Sequence, residues 1–243
     1  EPIAYRGEEA RERLKGLADG FLMHDRPIET RIDDSVLTQP RGKPYFIRRA
    51  RGFAPAPLSL PFRSEPLLAA GPELKNTFCL TRGEYAFQSH FIGDLENQET
   101  LEAYEAAINH YERIFRVKPA ALACDRHPDY LATRYAQKRA AAENLPLFTV
   151  QHHRAHIAAV MAENQVKPEE KVIGLAYDGT GYGDDGTNWG GEVLLADYAN
   201  FERRYHLAPV PLPGGDLAAR EPARMAVSYL HAAGVGEAIP ATA

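Results

Sequence analysis

The sequence predicts an α/β fold, and three observations predict it. From Leu67 onward, apolar runs of strand length recur: Leu67-Leu68-Ala69-Ala70, Ala120-Ala121-Leu122-Ala123-Cys124 and Leu147-Phe148-Thr149-Val150. Between them, apolar residues recur at helical spacing, clearest in Leu101, Tyr104, Ile108, Tyr111 and Phe115. Turns that combine glycine with an acid then interleave with further strands, at Asp178–Gly183, Gly190-Gly191-Glu192 and Gly214-Gly215-Asp216.

With 243 residues the chain has room for one or two domains. Its 28 basic and 33 acidic residues leave no electrostatic footprint for nucleic acid. There is no apolar run of about 18 residues and no signal-peptide pattern, so the expectation is a cytoplasmic chain without membrane contact. Cys79 and Cys124 lie far apart in no metal-ligand spacing and read as core thiols. The chain opens Glu1-Pro2-Ile3 and ends just after a helix-like segment, which leads us to expect a piece of a longer protein.

The first 60 residues have their own character. Glu8 to Leu17 reads as a short amphipathic helix ending near Gly16, and Gly20 to His24 as a strand. Ser35 to Thr38 and Tyr45 to Arg48 read as strands joined by the turn Pro40-Arg41-Gly42-Lys43. Arginine is dense here, at Arg26, Arg31, Arg41, Arg48, Arg49 and Arg51. Such clusters suit phosphate or carboxylate binding, although by spacing alone an ordinary solvated hairpin is the better explanation. Ala54 to Pro61 holds three prolines in eight residues and marks the boundary, with residues 61–66 as linker.

Beyond it the expected order is three strands (Leu67–Ala70, Thr77–Thr81, Tyr85–Phe91), helix Thr100–Phe115, strand Ala120–Cys124, helix Tyr130–Ala142, strand Leu147–Val150 and a helix over 152–164. This β-β-β-α-β-α-β-α order matches the ribonuclease-H-like half of the actin, Hsp70 and sugar-kinase superfamily. There the turn between the first two strands faces nucleotide phosphates, and Gly71 to Asn76 occupies that place. Strands Val193–Ala196 and Tyr205–Ala208 and a helix over Pro222–His231 complete the chain.

The chemistry concentrates at Gln151-His152-His153-Arg154-Ala155-His156. On a helix with Ile157, Val160 and Met161 as its apolar stripe, His152 and His156 stand at i and i+4 and share one face. Val172 to Tyr177 reads as a buried strand that delivers Asp178 at its carboxyl end. Two imidazoles and a carboxylate suit zinc or iron; the plainer alternative is a helix with solvated or packed histidines.

Several segments resemble the HypF family, the carbamoyltransferases of [NiFe]-hydrogenase maturation. Asp19 to Ile28, Asp33-Asp34-Ser35-Val36 and Arg48 to Pro55 are similar to the end of its YrdC-like domain. Gly71 to Asn76, Ser89 to Leu95, Gln151 to His156, Asp178 to Gly183, Trp189 to Glu192 and Leu212 to Asp216 are similar to its actin/Hsp70-like transfer domain. The resemblance implies that 1–60 is the end of the YrdC-like part and 67–243 the first part of the transfer domain. It implies transfer of a carbamoyl group, from carbamoyl phosphate and ATP (with magnesium) through carbamoyl-adenylate, to the C-terminal cysteine of HypE, as the precursor of a cyanide ligand. It makes His152, His156 and Asp178 metal ligands. It lines the nucleotide and carbamoyl pocket with Gly179, Thr180, Gly181, Tyr182, Gly183, Gly190, Gly191, Glu192, Gly214, Gly215 and Asp216. His24, Arg26, Arg31, Arg49 and Arg51 would face the adenylate in the YrdC-like part. Arg154, where a third consecutive histidine is common, would act electrostatically. The chain alone is expected to be inactive in the overall reaction. Threonylcarbamoyl transfer to tRNA, O-carbamoylation of a small hydroxyl compound, and a purely docking role toward HypE are the alternatives weighed.

Overall fold

The computed structural model describes residues 4–215 and 217–235. Gly7–Arg13 is a helix (α1), with Glu8 and Glu9 in its first turn and Arg11 and Arg13 in its last, as the helix dipole favours. It stops short of the expected Leu17 because Leu14 already leaves helical geometry. Residues 20–24 form no strand, and Leu22 is fully exposed. Val36–Thr38 (β1) and Tyr45–Arg48 (β2) pair antiparallel around a 3-10 turn, Pro40–Gly42, with Arg41 in left-handed geometry.

Leu58–Ala69 (β3) is a twelve-residue strand, so residues 61–66 are sheet rather than linker. Pro61 and Pro66 are tolerated because the ladder to the next strand is interrupted between Ser59 and Ser64 and again before Leu67. That next strand, Cys79–Gln88 (β4), merges most of what the sequence suggested as two strands. Gly83, at φ +60°, absorbs the irregularity opposite Ser64 without turning the chain. Gln98–Phe115 (α2), Ala121–Asp125 (β5), Leu131–Glu143 (α3) and Leu147–Val150 (β6) fall within a few residues of expectation. Asn97 caps α2 by accepting from the Thr100 amide at 2.9 Å. Arg116 and Asn144 close α2 and α3 in left-handed geometry.

The chain divides into two compact units. The first runs to Gln151 and includes Ala159–Pro168, so both sides of the proline-rich stretch belong to it. Its sheet has the order β4-β3-β5-β6, β3 antiparallel to β4 and the other pairs parallel. Its core joins Leu68, Leu80 and Leu122 of the sheet to Tyr104, Ile108 and Tyr111 of α2. Burial of each such side chain stabilises by about 1.5–3 kcal/mol. Ala132, Ala136 and Ala140 let α3 lie close to β5. The N-terminal stretch is tied in by Arg31 Nη2 donating to Ile92 O, by the Phe91 amide donating to Arg49 O, and by Arg48 over the Phe91 ring.

The second unit takes His152–Ala158 from the helix His152–Glu163 (α4) and the chain from Glu169 onward. Its sheet, Val172–Ala176 (β7), Glu192–Ala196 (β10) and Phe201–His206 (β11), has the order β11-β10-β7 and is antiparallel throughout. Gly181–Tyr182 (β8) and Asn188–Trp189 (β9) form a small hairpin beside it in sequence. Leu217–Arg220 (α5) and Pro222–Ala232 (α6) follow. Two expectations are corrected here. Val172 to Tyr177 is not buried throughout: β7 is an edge strand that buries Gly174 and Ala176 and exposes Ile173, Leu175 and Tyr177. In the α4 stripe Ile157 and Met161 are buried but Val160 is exposed.

Candidate metal centre

α4 begins immediately after β6, so its first turn carries His152, His153 and His156. Gly174 on β7 makes room for Ile157, since a Cβ there would come within 2.9 Å of Ile157 Cγ2. Asp178 follows β7 directly. Because the sheet is antiparallel, no parallel-sheet crevice positions this carboxylate; its neighbours on α4 do.

His152 Nε2 lies 3.1 Å from His156 Nε2 and 3.4 Å from Asp178 Oδ2. One ligand atom from each of the three residues falls within 4.8 Å of the others. Donors held by one ion at about 2.0–2.2 Å stand roughly 3–3.5 Å apart, so the separations fit zinc or a similar ion. Neither Asp178 oxygen takes a well-aligned hydrogen bond among the described residues, although both are buried. A carboxylate in that condition suits a cation. Burial alone pushes the Asp178 carboxyl up, but the contact and charge of His153, then the charges of His156 and His152, hold it below its usual range. His152 is partly buried and His156 exposed, so one side of the cluster is open.

The sequence pattern missed His153. It is wholly buried, and its Nε2 stands 3.1 Å from Asp178 Oδ2. Helical spacing could not select it, because i+1 turns away from the His152–His156 face. Arg154 acts through its charge on Asp197, as expected, and through hydrogen bonds as well. It donates to Tyr198 O at 3.0 Å and Ala199 O at 2.6 Å and lies over the Phe201 ring, tying α4 to the β10–β11 turn.

The expected pocket glycines divide. Gly179 and Thr180 are exposed, and a Cβ at Gly179 would meet open space. A Cβ on Gly181 would come within 2.6 Å of His153 Cε1, one on Gly183 within 2.6 Å of Trp189 Cε2, and one on Gly190 within 2.6 Å of Gly179 O. Gly191, at φ +72°, lies against Leu207. Glu192 is fully buried and grips Arg203 with both oxygens, at 2.6 and 2.8 Å, so it offers no carboxylate to a ligand. Tyr182 is half-buried on β8, and Gly214 and Gly215 form an exposed turn before α5. Asp216 lies outside the described residues.

In the first unit, the turn Gly71 to Asn76 is closed by Asn76, fully buried, whose Nδ2 donates to Ala70 O and Pro72 O. Glu73 accepts from the Leu131 amide at the start of α3, which leaves Leu74 and Lys75 as its exposed members. Arg49 donates to Phe53 O and Ala56 O and keeps Nη1 buried without a partner among the described residues. Arg51 pairs with Asp34, while His24 and Arg26 are exposed.

Residues 63–163 match the HypF Kae1-like domain, and residues 174–243 match the second subdomain of the Kae1-like carbamoyltransferase domain. The chain is 50% identical over 242 residues to carbamoyltransferase HypF2 of Cupriavidus necator, covering 98% of this chain and 30% of the relative. It is 47% identical to carbamoyltransferase HypF of Rhizobium leguminosarum bv. viciae, over 96% of this chain and 30% of that one. The chain belongs to the HypF family.

A crystal structure of full-length HypF in a phosphate- and nucleotide-bound form superposes with a TM-score of 0.88 at 49% identity, over 95% of this chain and 30% of that one. T. kodakarensis HypF gives the same TM-score at 44% identity. The chain therefore spans about 30% of the length of its HypF relatives. The Kae1-like matches establish the actin/Hsp70-like fold expected from element order. The three histidines lie in the first HypF match and Asp178 in the second. No helix among the described residues is long and apolar enough to cross a membrane.

Proposed function

We propose that this chain is the part of a HypF carbamoyltransferase that holds a divalent ion, zinc or iron, through His152, His156 and Asp178 beside the site of carbamoyl transfer. The approach of these three side chains, in a chain half identical to a carbamoyltransferase, carries the reading. Residues 1–60 are the end of the YrdC-like part and 67–243 the start of the transfer domain, with β3 running across their junction. The substrates are carbamoyl phosphate and ATP with magnesium. The acceptor is the C-terminal cysteine of HypE, the reaction serves hydrogenase maturation, and the setting is the cytoplasm. A relative solved with phosphate and nucleotide bound supports the nucleotide.

When bound, the ion supplies a positive charge that can anchor a phosphate or polarise a carbonyl. The chain's own residues do the rest. His152 and His156 present ring nitrogens from one helical face, and Asp178 supplies the compensating charge from the end of β7. Gly179 and Thr180, exposed beside Asp178, give the nucleotide or carbamoyl group its nearest backbone approach. Gly181, Gly183, Gly190 and Gly191 serve the packing behind that surface, and Gly214 and Gly215 offer a second exposed turn. Arg49 Nη1, buried without a partner among the described residues, is the donor left for a phosphate or carboxylate in the YrdC-like part. Cys79 and Cys124 take no part: burial pushes their thiols up to about 12 and about 11.

Elemental analysis of the purified chain, with His152→Ala and His156→Ala beside it, tests the reading. We expect about one zinc or iron per chain, lost in both variants. Metal retained by both folded variants overturns the ligand assignment.

A further inference from the structure

We propose that His153 is a positioning residue that fixes Asp178 for the metal, and that it is itself held by a layered support of Trp189, Arg203 and Glu192. This inference rests on the metal reading and extends it to residues that touch no ligand. His153 Nε2 is 3.1 Å from Asp178 Oδ2, closer than His152 Nε2 at 3.4 Å. The imidazole has no exposed surface, so the approach shelters from competition by water. The Trp189 ring lies nearly parallel to it, at 22° and 6.4 Å between centroids. On Trp189 in turn sits the Arg203 guanidinium, 4.0 Å from the ring centroid. Glu192 fixes Arg203 through two charge-assisted hydrogen bonds and accepts a third from the Gly190 amide at 3.1 Å. Trp189 Nε1 donates to Asp185 Oδ1 at 2.9 Å, which sets the rotation of the ring.

The glycine pattern agrees independently. Gly181 on β8 and Gly183 just after it lie against this support, and a Cβ on either would strike His153 or Trp189. Two glycines that the resemblance placed in the lining of the nucleotide and carbamoyl pocket therefore form a socket for the imidazole and the indole. A carboxylate ligand is tuned by its outer-shell partner, and loss of such a partner weakens metal binding by about 10–100-fold. His153 occupies that place: it holds the carboxylate, while His152 and His156 face the ion.

Cobalt(II) titration of the whole chain, followed by its visible absorption band, tests the proposal. His153→Phe keeps the ring packing on Trp189 and removes the ring nitrogen that approaches the carboxylate; His153→Gln restores a polar group there. We expect His153→Phe to weaken cobalt binding by about 10–100-fold and to move the band, and His153→Gln to recover most of both. Circular dichroism confirms that the variants are folded. Unchanged affinity and band in folded His153→Phe overturn the proposal. A second readout needs no metal: nitrogen-15 NMR of the histidines in the metal-free chain. We expect a slowly exchanging Nε2 proton on His153 that is lost in Asp178→Ala. Its absence from the unaltered chain, or its persistence in Asp178→Ala, overturns the proposal. Failure of the unaltered chain to take up cobalt while this proton is present overturns the metal reading alone.

Discussion

The Nε2 atoms of His152 and His156 stand 3.1 Å apart on successive turns of α4. On the proposed metal reading, one ion between them would relieve that approach and would bind the folded chain only. Zinc at a hundred times its dissociation constant should therefore stabilise the second unit by about 2.7 kcal/mol. Thermal unfolding followed by Trp189 fluorescence should shift upward by roughly 10–20 °C. His156→Ala should abolish the shift; an equal shift in that variant places the zinc elsewhere.

His90 gives the first unit an acid-sensitive core. Burial pushes its imidazole down to about 4, Arg31 and His110 push the same way, and Asp33 opposes them. The folded value lies below the ordinary 6.5, so the unfolded chain binds more protons between those two values. Stability is complete above about pH 6.5 and declines as pH falls toward 4, by at most about 1.4 kcal/mol per pH unit. Urea unfolding across this range should show the slope, and His90→Gln should reduce it. An identical pH dependence in the variant would show that other groups control it.

Asn76 closes the turn between β3 and β4 from a fully buried position. Asn76→Ala takes the donor from Pro72 O and leaves Ala70 O with only the Tyr104 hydroxyl among its side-chain donors. The expected loss is about 2 kcal/mol in urea unfolding. A change below about 0.5 kcal/mol would mean that water replaces the amide.

Both thiols should be slow to react. With values of about 12 and about 11, Cys79 and Cys124 are protonated at pH 8. A disulfide-exchange reagent should label neither within minutes in the folded chain and both in 6 M guanidinium. Rapid native labelling of one thiol would show that its surroundings open.

Much of this was legible in the residues. Leu101, Tyr104, Ile108, Tyr111 and Phe115 mark α2 because a packed helix repeats its buried face, and Leu147 to Val150 marks β6. The i, i+4 spacing of His152 and His156 placed both candidate ligands on one face. Spacing failed where the third dimension decides. The prolines near Pro61 suggested a break, yet the irregular β3–β4 ladder accepts them. Glu192 looked like a ligand because an acid beside two glycines is ambiguous until its burial is known.

The sequence by itself determined the α/β class, the helices with one apolar face, the HypF resemblance and the three ligand candidates. Those properties follow from local periodicity and residue chemistry, which neighbours in the chain suffice to express. Only the tertiary structure decided that His153 backs Asp178, that Arg154 and Glu192 are engaged by the protein, and that Gly181 and Gly183 serve packing. Each depends on residues brought together from α4, the hairpin and the sheet, and contacts between distant segments leave no period in the chain.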